Sequence, residues 1–278
     1  MKTSKTMLGV LLSISLSTAA SAGSFQSYGL NGFTLHVYRS GDVMDDTSYI
    51  VESSDALVTL EEPLFKVNDA EFDTYAERLG KKVAARITDY HLGGTGSFSL
   101  TMPEGMPAFI SGPVYGGMMQ GFQRSFGETM VALPSGTTQE VPFESVQQLA
   151  GVDYAFEHGA ASDFPAASIL IGSQVYLTHW APAIAHASAL QISSREAVTA
   201  EIAEARESLD SGAVLFAGSH GGVAGRRAVQ FKISYLETVE RLLDLYDTPA
   251  AFRAALLEAY PGLPGAGGVD ALAAALYK

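Results

Sequence analysis

The chain has 278 residues, 47% of them apolar and only 17% charged, which allows one substantial core and leaves no room for long disordered tails. A formal net charge of -13 repels phosphate backbones and argues against nucleic acid as a partner. Cysteine is absent, so disulfides, thiolate metal sites and cysteine nucleophiles are excluded, and any metal must rest on His, Asp, Glu or backbone oxygens.

In chain order, residues 1–22 read as an export signal. Lys2 and Lys5 form a positive start, "MLGVLLSISL" is a short apolar run, and Ala20-Ser21-Ala22 is a small-residue cleavage site. Cleavage after Ala22 would leave a single domain over 23–278 and, with two lysines lost, a net charge of about -15. No later segment is long and apolar enough for a membrane helix, so no membrane partner is expected and the protein is expected in a bacterial periplasm or secreted.

The mature chain opens on strands. "FTLHVYRS" alternates, with Phe33, Leu35 and Val37 on one face and His36 on the other. "DTSYIVES" and "DALVTLEEP" follow across the turn-prone "SSD" and predict an antiparallel meander. "NDAEFDTYAERLGKK" predicts a helix through Phe72, Tyr75, Ala76 and Leu79, stopped by Gly80. The strand "KKVAARI" then runs into "TDYHLGG", which makes a βαβ crossover with a polar loop at the strand's carboxyl end. Farther on, "PAFIS" reads as a strand and "GPVYGGMMQGFQRSFG" as a mobile cover or packed loop. "SREAVTAEIAEARESLDSG" is a helix with a Ser193/Glu196 capping box and Gly212 just past its end. "AVLFAGSHGG" is a buried strand ending in a glycine turn, "RRAVQFKISYLETVERLLDLY" a second long helix, and the tail supplies two shorter helices.

Five of the six histidines, His91, His158, His179, His186 and His220, fall at strand-to-loop junctions, where a metal or general-base site would need them. A lone histidine is more often a surface or satisfied core residue, so order and context must decide. The series strand, turn, strand, helix, then "ITDYHLGG" resembles the metallo-β-lactamase fold superfamily, whose first metal motif is Thr-His-x-His-x-Asp-His-x-Gly-Gly. By that resemblance Asp89 takes the place of the first histidine and His91 of the second, Gly93-Gly94 are kept, and the Asp-His pair is missing. "SDFPAASILIGSQVYLTHW" resembles the family's Gly-His-Thr-Pro-Gly-Ser through Thr-Gly-Asp segment. There Asp163 stands for histidine, and Trp180, beside His179, stands where the bridging aspartate belongs. "AGSHGG" resembles the final Pro-Gly-His-Gly and puts His220 on the last histidine.

The resemblance implies a four-layer αββα sandwich in the α/β class. It also implies a hydrolase whose shortened site holds one divalent metal (zinc, manganese or iron) or none. Asp89, His91 and His220 would be the metal ligands, with His179 as ligand or base and Asp163 as a second catalytic candidate. The substrate would be a small-molecule ester, amide, lactone or phosphoester. The alternative is a non-catalytic binding protein on the same scaffold, in which Asp89 and His91 merely bond each other and cap the turn. Three further features divide the same way. "SHGG" with Arg226 and Arg227 is either an anion site at a helix start or a solvated face. Trp180 either walls a pocket or packs in the core, and Met118-Met119 is either core filler or a binding surface. No Gly-x-Ser-x-Gly elbow, phosphate loop or dinucleotide fingerprint occurs.

Overall fold

A computed structural model describes residues 23–96, 98–132, 136–160 and 166–278. The expected export signal and Asp163 lie outside the described residues. Two sheets form the centre. The first holds seven strands in chain order: β1 (Ser24–Gly29), β2 (Thr34–Arg39), β3 (Thr47–Glu52), β4 (Ala56–Leu60), β5 (Lys82–Ile87), β6 (Leu100–Pro103) and β7 (Thr138–Val141). Strands β1 to β4 pair antiparallel, as the short turns between them require. The parallel pairing of β4 with β5 needs a crossover, which helix α1 (Lys66–Arg78) provides.

The second sheet has the order β13-β12-β11-β10-β9-β8, formed by β8 (Ser145–Leu149), β9 (Val152–His158), β10 (Ala167–Ile171), β11 (Val175–Trp180), β12 (Leu215–His220) and β13 (Gly222–Ala224). β12 runs parallel to β11 after crossing over through α4 (Arg195–Asp210). Helices α5 (Arg226–Leu245), α6 (Pro249–Ala259) and α7 (Val269–Leu276) complete that side.

The period-2 alternation read from the sequence builds the core between the sheets. Leu35 and Val37, Tyr49 and Val51, and Val58 and Leu60 face Ile169 and Ile171, and Val175 and Leu177. Each buried aliphatic side chain contributes about 1.5–3 kcal/mol relative to exposure. The opposite face of the first sheet receives α1 through Tyr38, Ile50, Leu57 and Phe72. On that face His36 donates from Nε2 to Glu52 at 2.9 Å, leaving Nδ1 to accept from Ser27 (2.8 Å) or Tyr75 (3.0 Å). The second sheet carries α4 and α5 over Tyr176 and Phe216. The result is the expected helix, sheet, sheet, helix layering.

Four local expectations change. "PAFIS" is helical through Ile110, in α2 (Met106–Ile110), with Ser111 as its C-cap, and the Gly/Met-rich stretch is helix α3 (Pro113–Phe126) rather than a loop. Proline in the first turn starts both helices, and Tyr115, Met118, Met119, Phe122 and Phe126 recur at helical spacing. Helix α4 is capped by Ser194, not Ser193: its side chain accepts from the Ala197 amide at 3.1 Å. "SHGG" does not open a helix. β13 intervenes, α5 begins only at Arg226, and Arg226 turns to the Leu209 carbonyl at 3.3 Å, so the anion-site reading loses its helix terminus.

Candidate metal centre

β5 and β12 end on the same rim of the sandwich, and their last residues or following loops carry His91 and His220. β11, beside β12, brings His179. Ligating nitrogens of the three histidines all lie within 4.8 Å of one another. His91 and His220 are buried, and His179 is partly exposed.

The loop bearing His91 is built by its neighbours. The buried Glu61, just past β4, accepts from the amides of Asp89 (2.6 Å), Tyr90 (3.1 Å) and His91 (2.9 Å). Gly94 donates to the Pro63 carbonyl at 3.1 Å, and Thr95 donates to Asp69 at 2.9 Å. At Gly93 a Cβ would stand 1.9 Å from the Glu62 carbonyl oxygen, and Gly94 has φ +81 with a Cβ position 2.0 Å from the Glu62 carboxylate. These two glycines are therefore required by close approach.

His220 is fixed from the other side. Its Nδ1 donates to the Met44 carbonyl at 3.0 Å and lies 3.2 Å from Asp46 Oδ1, which leaves the Nε2 lone pair facing the cluster. Across the sheets, Tyr49 donates to the Gly218 carbonyl at 2.6 Å and accepts from the Gly218 amide at 3.0 Å, which anchors β12 two residues before His220. A Cβ at Gly218 would lie 1.9 Å from the Ala181 amide nitrogen. His179 stacks on Tyr90, with ring centres 3.8 Å apart and planes 5° apart. Burial first, and then the nearness of His91 and His220, push its imidazole well below the ordinary range, so it is neutral with a lone pair to offer. Trp180 stacks on the flank of His220 at 4.3 Å and does not fill the site.

The donor set fits a divalent cation. His91 Nε2 and His220 Nε2 face each other at 3.2 Å, close to the roughly 3.3–3.4 Å edge of a tetrahedron built on metal–nitrogen bonds of 2.0–2.1 Å. Asp46 is buried, and neither of its carboxylate oxygens makes a well-formed hydrogen bond. Burial alone would raise its carboxyl, but His91, 3.7 Å away, and His220 hold it below the ordinary value, so it puts a negative charge against the imidazoles. Three protein ligands are the number that catalytic zinc sites use, whereas closed structural sites use four.

Asp89, expected as a ligand, does not join this group. Both its carboxylate oxygens accept from the Ala167 amide, at 3.0 and 3.1 Å, and tie the loop to β10. Burial, then the neighbouring Glu61, raises its pKa well above the ordinary value. The structure brings together His91, His220 and His179, the last expected as ligand or base, and leaves Asp89 outside the group. His158 stacks on Phe143 and His186 bonds Tyr235 at 3.1 Å, both away from the cluster. Sequence reasoning missed Asp46 and Glu61. Glu61 carried the signal used for His91, a polar residue at the end of a buried strand, whereas Asp46 sits in an acidic turn that offered none.

A cavity of about 130 Å³ opens onto the three imidazoles. Met118, Met119 and Phe122 of α3 form part of its wall, so the methionine pair is a pocket surface and α3 is its cover.

No protein-family model and no curated protein matches the chain. Solved structures do match its fold. A sec-alkylsulfatase double mutant is 16% identical, with a TM-score of 0.63 over 87% of this chain and 48% of that one, so the chain spans about half the sulfatase's length. A metallo-β-lactamase family protein from Thermus thermophilus is 14% identical, with a TM-score of 0.56 over 88% of this chain and 92% of that one. A β-lactamase domain protein from Burkholderia ambifaria is 10% identical, with a TM-score of 0.57 over 90% and 86%. With its paired sheets and three of its histidines gathered at one rim, this chain has the metallo-β-lactamase fold.

Proposed function

We propose that the protein is an exported hydrolase of small molecules that holds one divalent metal, zinc, manganese or iron, on His91, His179 and His220. The observation that carries this reading is the convergence of three imidazoles, two of them with Nε2 atoms 3.2 Å apart. When bound, the cation supplies Lewis-acid polarisation of the scissile group and activation of water. The chain's own groups prepare that chemistry. The Met44 carbonyl accepts from Nδ1 of His220, with Asp46 beside it at 3.2 Å, which turns Nε2 toward the cluster. Glu61 fixes the backbone under His91. Tyr90 sets the plane of the His179 ring. Asp46 offsets part of the positive charge in a buried place. Asp163 remains a candidate for proton transfer, and the export signal of residues 1–22 is part of the proposal. A cavity of about 130 Å³ favours a small-molecule substrate.

The test is elemental analysis of untagged protein purified without chelators, beside a His91→Ala/His220→Ala double variant and a His179→Ala variant. Near-stoichiometric metal in the parent, lost in the double variant and reduced in the single one, supports the reading. Metal-free parent protein that stays empty after incubation with zinc, manganese and iron refutes it in favour of a binding protein. Mass spectrometry of the periplasmic and secreted protein checks that its first residue is Gly23.

A further inference from the structure

We propose that the cavity beside the three imidazoles takes an uncharged, apolar body about the size of a six-membered ring, so that the substrate is a small neutral ester, amide or lactone rather than an anionic ester. This rests on the hydrolase reading and narrows its substrate class.

Three observations carry it. The first is lining. Apart from the imidazoles the wall is Met44, Leu64, Leu92, Met118, Met119 and Phe122, with two tyrosines. The phenol of one of them, Tyr115, is already directed to the Leu92 backbone. The second is charge. Among the described residues no Lys or Arg lines the cavity, so a phosphate, sulfate or carboxylate placed against the part of the wall away from the imidazoles would be desolvated with no side-chain counter-charge. The full charges close behind the imidazoles are the acids Asp46 and Glu61, and the chain as a whole carries -13, which repels anions further. Arg86, at the end of β5 before the His91 loop, is taken up by Glu62 and the Phe98 ring. The third is size. A cavity of about 130 Å³ compares with the roughly 150 Å³ apolar cavity that accommodates benzene. Methionines at two wall positions let it adjust to the shape of its occupant.

The probes are benzamide and benzoate, which share a shape and differ in charge. They are titrated by calorimetry into chelator-treated, metal-free protein at pH 8, so that no metal can ligate the carboxylate. Benzamide should bind at least about tenfold more tightly than benzoate, because nothing in the wall pairs the charge. Met118→Lys should shift that ratio about tenfold toward benzoate, while Met118→Leu should leave it unchanged. Equal or tighter binding of benzoate by the parent, no measurable binding of benzamide, or a ratio that ignores Met118→Lys in a folded variant overturns the proposal. If Met118→Lys does not fold, the parent's ratio decides alone. Benzamide binding by a protein that never takes up metal would uphold the pocket and sink the hydrolase. A stoichiometric metal with a preference for benzoate would do the reverse.

Discussion

Glu61→Gln isolates the device that shapes the metal loop. The carboxylate is buried, with 1% exposure, and gathers three consecutive backbone amides, those of Asp89, Tyr90 and His91. Glutamine keeps the volume but has only one acceptor oxygen. In its better orientation the amide oxygen stays with Tyr90 and His91, and the NH₂ group turns to the Asp89 amide, where donor meets donor. One hydrogen bond to a charged acceptor, about 1.5–3 kcal/mol, is then lost and one buried N–H is orphaned, so the expected destabilisation is about 2–4 kcal/mol. The two bonds that remain also weaken, because their acceptor is now neutral. Urea unfolding should show a lower midpoint with an unchanged slope, and hydrogen exchange should speed up first at residues 89–91. The same displacement moves the His91 ring, so metal retention should fall as well. An unfolding free energy within about 0.5 kcal/mol of the parent, with residues 89–91 equally protected, would refute the claim that Glu61 holds the loop.

The glycines give a sharper steric contrast. Gly93→Ala forces a Cβ to within 1.9 Å of the Glu62 carbonyl and should cost about 1–3 kcal/mol in thermal or urea unfolding, with loss of bound metal; Gly117→Ala, on the open side of α3, should be neutral or stabilising by up to about 1 kcal/mol. Burial, only partly offset by Arg86, raises Glu62 from 4.5 to about 7. A carboxyl raised on folding contributes stability that is complete below pH 4.5 and is lost as pH rises through about 7, a swing of about 3 kcal/mol at 1.36 kcal/mol per pH unit. Stability measured from pH 4.5 to 8 should therefore slope downward from this source, and the slope should flatten in Glu62→Gln; an unchanged slope would remove Glu62 as its origin. Lys232, between α4 and α5, pairs with Glu201 at 2.5 Å and faces Glu204, which accepts from Ser168 at 2.6 Å. Lys232→Met strands two acids beside the second sheet and should cost about 3–5 kcal/mol, whereas a change below about 1 kcal/mol in urea unfolding would show that the acids accept protons at no cost.

Much of the architecture was legible because it depends on local periodicity. Leu35, Val37, Tyr49 and Val51 alternate because one face of their sheet must be buried, and the short turns between them allow only antiparallel pairing. The crossover from β4 through α1 to β5 followed from helical spacing between two apolar strands. The reading failed at α2 and α3, where the signals conflict. Pro107 and Pro113 sit where a helix begins, yet the glycines and methionines that follow masked the helical face of α3.

At the site, the sequence by itself determined which strand ends carry histidine, and so placed His91, His179 and His220 in reach of one rim. Only the tertiary structure decided which side chains meet there. Asp89 is two residues from His91, but the loop leaves strand geometry at that point, and its carboxylate turns to the Ala167 amide of the other sheet while the His91 ring turns to His220. Asp46 and Glu61 could not be chosen from among 30 acidic residues, because what distinguishes them is burial against histidines and amides that lie 28 to 174 residues away in the chain. Periodicity records which face of an element is buried. The direction of a polar side chain at a strand's end is set by the partners that its desolvation requires, and folding alone brings those partners into place.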